Sequence, residues 1–139
     1  MSQTKKSYAG SCHCGAVRFD ALLASDGRAG RCNCTICRRT GATGVILKPA
    51  ELTVRSGADA VRTYEWGGRI SKRFFCGNCG VHCYALGHLE QLGGDYASVN
   101  VNCIDDYEVD EAKVVYWDGR HDNWQGGPRA TPWPVGARA

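Results

Sequence analysis

The chain has 139 residues, 43% hydrophobic and 22% charged, a balance that fits one globular domain and excludes wholesale disorder. Its 17 Lys and Arg against 14 Asp and Glu leave a net charge of +3, with the basic residues scattered rather than gathered into a stripe. That pattern argues against a nucleic-acid partner and suits a small anionic ligand.

Few windows hold a helical period, whereas short runs rich in Val, Ile, Tyr and Phe recur between turn signals. In chain order, strands are expected over residues 16–21, 44–47, 52–56, 61–66, 70–75, 81–85, 97–103 and 113–117. Brief helical turns are expected over residues 35–39 and 104–109. Gly67-Gly68 lies between two of the runs and is the strongest hairpin signal; that hairpin delivers Cys76 at the end of its second strand. The segment 126–139 is rich in Gly, Pro and Ala and reads as a surface tail, with Trp133 as its candidate anchor. No repeat or linker divides the chain. A single mainly β domain over residues 1–139 is expected, its core at about residues 8–125.

The N-terminal residues lack the apolar stretch of an export signal, and no run approaches the roughly 18 apolar residues of a membrane span. The expected location is a reducing cytoplasm, with no membrane partner. Nine cysteines there, an odd number at short spacings, point to metal rather than to a disulfide framework.

Three clusters stand out. Cys76-Gly77-Asn78-Cys79-Gly80 has the chemistry of a zinc knuckle: two sulfurs reach one ion while the glycines permit the tight turn. Structural zinc takes four ligands, and Cys12 and Cys14 are the natural complement, since residues i and i+2 of extended chain share a face. Such a site closes a loop of 61 residues, from 15 to 75, a large constraint on the unfolded chain.

The third cluster, Cys32, Cys34 and Cys37, holds three sulfurs within six residues. Three protein ligands and an open position are the arrangement of catalytic zinc. A fourth ligand such as Cys103 or a histidine would make the site structural and the protein a non-catalytic zinc-stabilised binding module with two structural ions; a Cys34–Cys37 redox dithiol is the third reading. Arg31, Arg38 and Arg39 flank the cluster, as solvated face or as partners of an anionic substrate. Cys83 and Cys103 sit in apolar strand patterns and read as core. His13, His82, His88 and His121 read as surface or supporting residues; Asn102, Asp118 and Trp124 are candidate pocket residues. A homo-oligomer is compatible with the sequence.

These cysteine motifs resemble the glutathione-dependent formaldehyde-activating enzyme family, a family that also takes in centromere protein V. The resemblance is carried by Ser11-Cys12-His13-Cys14-Gly15-Ala16-Val17-Arg18-Phe19, by Cys32-Asn33-Cys34-Thr35-Ile36-Cys37-Arg38-Arg39-Thr40-Gly41 and by Phe74-Phe75-Cys76-Gly77-Asn78-Cys79-Gly80. The order and spacing of all seven cysteines match, and Tyr116-Trp117-Asp118-Gly119-Arg120 is similar less specifically. The resemblance implies a β-tent fold, a structural zinc on Cys12, Cys14, Cys76 and Cys79, and a catalytic zinc on Cys32, Cys34 and Cys37. It also implies a carbon–sulfur lyase that forms S-(hydroxymethyl)glutathione from formaldehyde and glutathione. Adjacency to Cys37 in sequence makes Arg38 or Arg39 the expected partner of a glutathione carboxylate.

Overall fold

The computed structural model describes residues 4–66, 68 and 70–136. Strands β1 (Lys5–Ser11) and β2 (Arg18–Ala24) form an antiparallel hairpin, and β5 (Leu52–Ser56) pairs with the other edge of β2 to complete a three-stranded sheet. Burial alternates with the period of two that a one-sided sheet requires: Phe19, Ala21 and Leu23 face inward, while Arg18 and Leu22 face out. Gly10 opposes Phe19 in this hairpin. A Cβ on Gly10 would stand 2.5 Å from Phe19 Cζ, so glycine lets the ring lie across the strand.

The second sheet contains β3 (Ala29–Cys32), β4 (Gly44–Leu47), β6 (Val61–Glu65), β7 (Lys72–Cys76), β8 (His82–Leu89), β9 (Gly94–Asn100) and β10 (Val114–Trp117). Its strand order is β10-β3-β4-β9-β8-β7-β6, antiparallel throughout except for the β10–β3 pair. One face meets the small sheet, so Tyr8, Phe19, Ala21 and Leu23 share a core with Leu47, Tyr84, Ala97 and Val99. Tyr84 is held between Phe19, edge-on at 5.8 Å, and Phe74, stacked at 4.9 Å.

The opposite face of the large sheet is built differently. Ile46, Ser98, Ala85 and Arg73 stand in one cross-strand row, and Gly30 faces Gly44 beside it. Small residues here leave a groove where larger ones would support a second packed layer. That groove positions the site.

The mainly β expectation holds, and strands over residues 44–47 and 52–56 fall as expected. The helical turn expected over 35–39 is α1 (Thr35–Thr40). Residues 104–109 are not helical. Ile104 and Tyr107 are buried three residues apart, which mimics a helical period, but they anchor an irregular loop in which Tyr107 packs on Tyr8 at 5.4 Å. Residues 101–103 turn into a 3-10 element rather than extending β9. The hairpin around Gly67-Gly68 forms, but pairing ends at Glu65–Lys72, because Trp66 leaves the strand and stacks on Tyr64 at 5.3 Å. Gly67 itself lies outside the described residues. β1 and β3 were not expected: β1 buries only Tyr8 and Gly10, and β3 is four residues with a glycine inside.

Trp133 anchors the tail, donating Nε1–H to the Tyr116 carbonyl at 2.9 Å, while Arg129 pairs with Tyr116 through the backbone. No helix among the described residues is long and apolar enough to cross a membrane.

Candidate functional site

Two cysteine clusters form, each with all its sulfurs within 4.8 Å of one another. The first joins Cys12 and Cys14, in the turn of the β1–β2 hairpin, to Cys76, the last residue of β7, and Cys79, in the turn that follows it. It therefore ties one sheet to the other. The two turns are built alike. Cys12 N–H donates to the Val17 carbonyl at 3.0 Å and Gly15 N–H to the Cys12 carbonyl at 3.2 Å; Cys76 N–H donates to Val81 at 3.0 Å and Gly80 N–H to Cys76 at 2.8 Å. Gly15 and Gly80 have φ of 82° and 79°, a left-handed conformation that explains glycine after each cysteine pair. Cys12 and Cys14 thus converge through a tight turn, not through the extended chain expected from their spacing.

Ligand geometry fits a four-sulfur ion. Four thiolates at about 2.3 Å around a tetrahedral ion stand about 3.8 Å apart; Cys12 and Cys14 Sγ are 3.7 Å apart, and Cys14 and Cys76 Sγ 3.6 Å. Backbone N–H groups of Val17 and Asn78 point at Cys12 and Cys76 Sγ, at 3.3 and 3.4 Å. N–H donors of Cys14 and Val81 hold the Cys79 thiol down at about 6, which favours the thiolate a metal needs.

The second cluster is the trio. Cys32 ends β3, Cys34 caps α1, and Cys37 sits in its first turn with its N–H on Cys34 Sγ at 3.4 Å. The helix stops at Gly41, φ 68°, after six residues. Contacts from Cys32 and Cys37 draw the Cys34 thiol down to about 2, while Cys34 pushes Cys32 up and Cys32 and Cys34 together push Cys37 up. A divalent ion would let all three ionise, and the all-thiolate donor set suits zinc. Among the described residues no fourth Cys, His, Asp or Glu joins them.

Cys103 and Cys83 donate to the His82 and Val81 carbonyls, both at 3.5 Å, and belong to neither cluster. His82 stacks on Phe75 at 5.3 Å, His88 bonds Asp95 at 2.7 Å and His121 bonds Asp118 at 2.7 Å. His13 is exposed.

The trio opens into a cavity of about 510 Å³ on the grooved face, lined also by Arg73, Tyr96, Trp117 and Trp124. Arg38 and Arg39 do not line it; both are exposed on the last turn of α1, and Arg39 bonds back to the Thr35 carbonyl at 3.3 Å. Arg31 lines it but is held by Glu111 through two bonds of 2.9 and 3.0 Å and by Thr43 at 3.1 Å. Arg73 reaches the trio instead, its Nη2 3.8 Å from Cys37 Sγ. Sequence adjacency misses Arg73, which is 36 residues from Cys37; its signal is the strand register that puts it on the row with Ser98 and Ile46.

Behind the trio is a buried polar knot. Asn33 donates to Asp118 Oδ1 at 2.8 Å and to the Pro134 carbonyl at 3.1 Å, and accepts the Arg120 N–H at 2.9 Å. Asp118 is buried behind the cavity and does not line it; Trp124 does, and Asn102 is exposed away from it. Gly119 is packed so closely that a Cβ would stand 2.6 Å from Cys32 Sγ.

The chain is similar to a Halomonas elongata protein named as a candidate glutathione-dependent formaldehyde-activating enzyme, 40% identical over 78 residues. That match spans 50% of this chain and 50% of the relative, so the chain covers about half of that relative's length. A crystal structure of a Rhodobacter sphaeroides protein superimposes with a TM-score of 0.62 at 29% identity, over 91% of this chain and 99% of that one. The family profile described as glutathione-dependent formaldehyde-activating enzyme matches residues 7–119, across both cysteine clusters. The chain belongs to the glutathione-dependent formaldehyde-activating enzyme family.

Proposed function

We propose that the protein is a zinc-dependent enzyme of carbon–sulfur bond chemistry that joins a thiol to a small aldehyde, with glutathione and formaldehyde giving S-(hydroxymethyl)glutathione as the leading pair. The observation that carries this reading is the inequality of the two clusters: one gathers four sulfurs, the other three beside a cavity of about 510 Å³. The reading assigns a structural ion to Cys12, Cys14, Cys76 and Cys79 and a catalytic ion to Cys32, Cys34 and Cys37. It treats the whole chain as one zinc-clipped unit, because the four-sulfur cluster draws on turns of both sheets.

An ion on the trio would supply a Lewis acid with an open position. In the reaction the thiol sulfur bonds to the carbonyl carbon and the thiol proton ends on the carbonyl oxygen, with no leaving group and no redox change. Such additions need little activation, so the task of the chain is orientation. Trp117 and Trp124, 6.2 Å apart, wall the cavity next to Cys32 and limit water there. Arg73 gives the cavity positive charge beside the sulfurs, which favours anionic glutathione. Cys103, the alternative fourth ligand, turns its thiol to the His82 carbonyl, which speaks against a closed structural site.

Metal analysis with glutathione titration of wild type and Cys34→Ser tests the reading. Two ions in wild type, one in the variant and a glutathione response lost with the second ion are expected. Unchanged metal content in the variant refutes it.

A further inference from the structure

Arg73 is a cation whose partners within the chain do not match its charge. Its Nε is buried without an acceptor among the described residues, its Nη2 contacts Cys37 Sγ at 3.8 Å, and its guanidinium lies 5.7 Å from the centre of the Trp66 ring. Buried N–H groups of folded proteins are nearly always paired, and a charged one left over calls for a reason. The other Arg, His and Asp side chains lining the cavity are engaged: Arg31 by Glu111, His88 by Asp95, Asp122 by the Trp124 indole N–H at 2.6 Å. Arg73 is left to act on the sulfurs.

The charges on the trio supply that reason. Three thiolates on a divalent ion sum to −1, and a thiol that binds there as thiolate raises this to −2. Trp117, Trp124, Ile46 and Leu92 make much of the surroundings apolar, where uncompensated charge is costly. We propose that Arg73 is the charge-balancing residue of the three-cysteine centre: it offsets the excess negative charge of the loaded trio and so favours substrates that arrive as thiolates. This deepens the function proposed above and rests on its premise that the trio holds a divalent ion with an open position. The strand row fixes Arg73 for this task, since its register with Ala85 sets its place on the groove face.

The test compares zinc-loaded wild type, Arg73→Met and Arg73→Lys. Calorimetric titration measures affinity for glutathione and for the uncharged thiol 2-mercaptoethanol, and graded chelator measures how readily each ion leaves. Loss of a unit charge at this range is expected to weaken both thiols in Arg73→Met by about tenfold, and to release the trio ion at about tenfold lower chelator, with the four-cysteine ion unaffected. Arg73→Lys, which keeps the charge, stays within about threefold of wild type. Wild-type affinity in Arg73→Met overturns the inference, as does a Lys variant as weak as Met. Loss confined to glutathione also overturns it, since Arg73 would then be reading a carboxylate. Equal loss of both ions from Arg73→Met overturns it in favour of a general packing role. A wild type that takes up two ions but binds neither thiol refutes the proposed function instead, and the chelator comparison then still decides the role of Arg73.

Discussion

Asn33 lies between Cys32 and Cys34 in the chain and is buried, so its replacement tests whether the polar knot holds the site. Asn33→Ala removes three hydrogen bonds, to Asp118, to the Pro134 carbonyl and from the Arg120 N–H. At about 1 kcal/mol net for each bond the loss is about 3 kcal/mol. A domain of this size loses roughly 3–5 °C of melting temperature per kcal/mol, so the zinc-loaded variant should melt about 10 °C below wild type. Asn33→Asp is more discriminating. In wild type, burial works against the Asp118 charge, but hydrogen bonds from Asn33, His121 and Asn123 outweigh it and hold the carboxyl below its ordinary 3.8. Wild type therefore keeps this contribution above about pH 4 and loses it as pH falls. In the Asp variant two carboxylates meet where a 2.8 Å hydrogen bond stood, and one is pushed up. The folded state then binds a proton more tightly than the unfolded chain, so the variant should gain stability as pH drops from about 7 to about 5. Thermal unfolding followed by circular dichroism at those two pH values decides it. An Ala variant within about 2 °C of wild type, or an Asp variant without the reversed slope, would show that the knot does not support the site.

Two further outcomes separate the clusters. Cys76→Ser removes a fully buried member of the four-sulfur cluster. With structural zinc worth on the order of 10 kcal/mol of folding free energy, this variant should lack a cooperative unfolding transition; a melting curve close to wild type would rule out a structural ion there. Gly119→Ala places a methyl group 2.6 Å from Cys32 Sγ and 2.7 Å from the Trp124 ring. It should leave the fold and the four-cysteine ion in place while metal analysis shows the trio ion depleted, and full occupancy of both sites would contradict the packing described for Cys32.

The strands that the sequence reveals are those with recurring apolar side chains, such as β4 and β5. β1 hides because Gly10 does the work of an inward residue by making room for Phe19, and a missing side chain leaves no apolar signal. Ile104 and Tyr107 mislead in the opposite sense: their spacing is helical, but each is buried by a loop. Among the cysteines, spacing within a turn is local information, so both clusters are legible before any fold is known. The pairing of Cys12 and Cys14 with Cys76 and Cys79 is also expected, from the ligand count together with the i, i+2 spacing of Cys12 and Cys14. What spacing does not carry is the shape of the chain between the ligands, which is why an extended Cys12–Cys14 segment is expected and a turn is found.

The arginines show where local reasoning stops. Arg38 and Arg39 are next to Cys37 in sequence, yet a helix of six residues turns them outward, away from the trio. Arg73 is remote in sequence and adjacent in space because β7 pairs in register with β8, and β8 with β9. The same strand ends in Cys76, three residues on, and an odd separation puts the two side chains on opposite faces of the sheet. One short strand thus presents Arg73 to the groove and Cys76 to the sulfur cluster behind it. A metal on the four cysteines would pin the end of β7 and, through it, the position of Arg73 against the trio. Coupling of the two ions through β7 is reciprocal by linkage: whatever factor the four-cysteine ion adds to the hold on the trio ion, the trio ion returns to the four-cysteine ion.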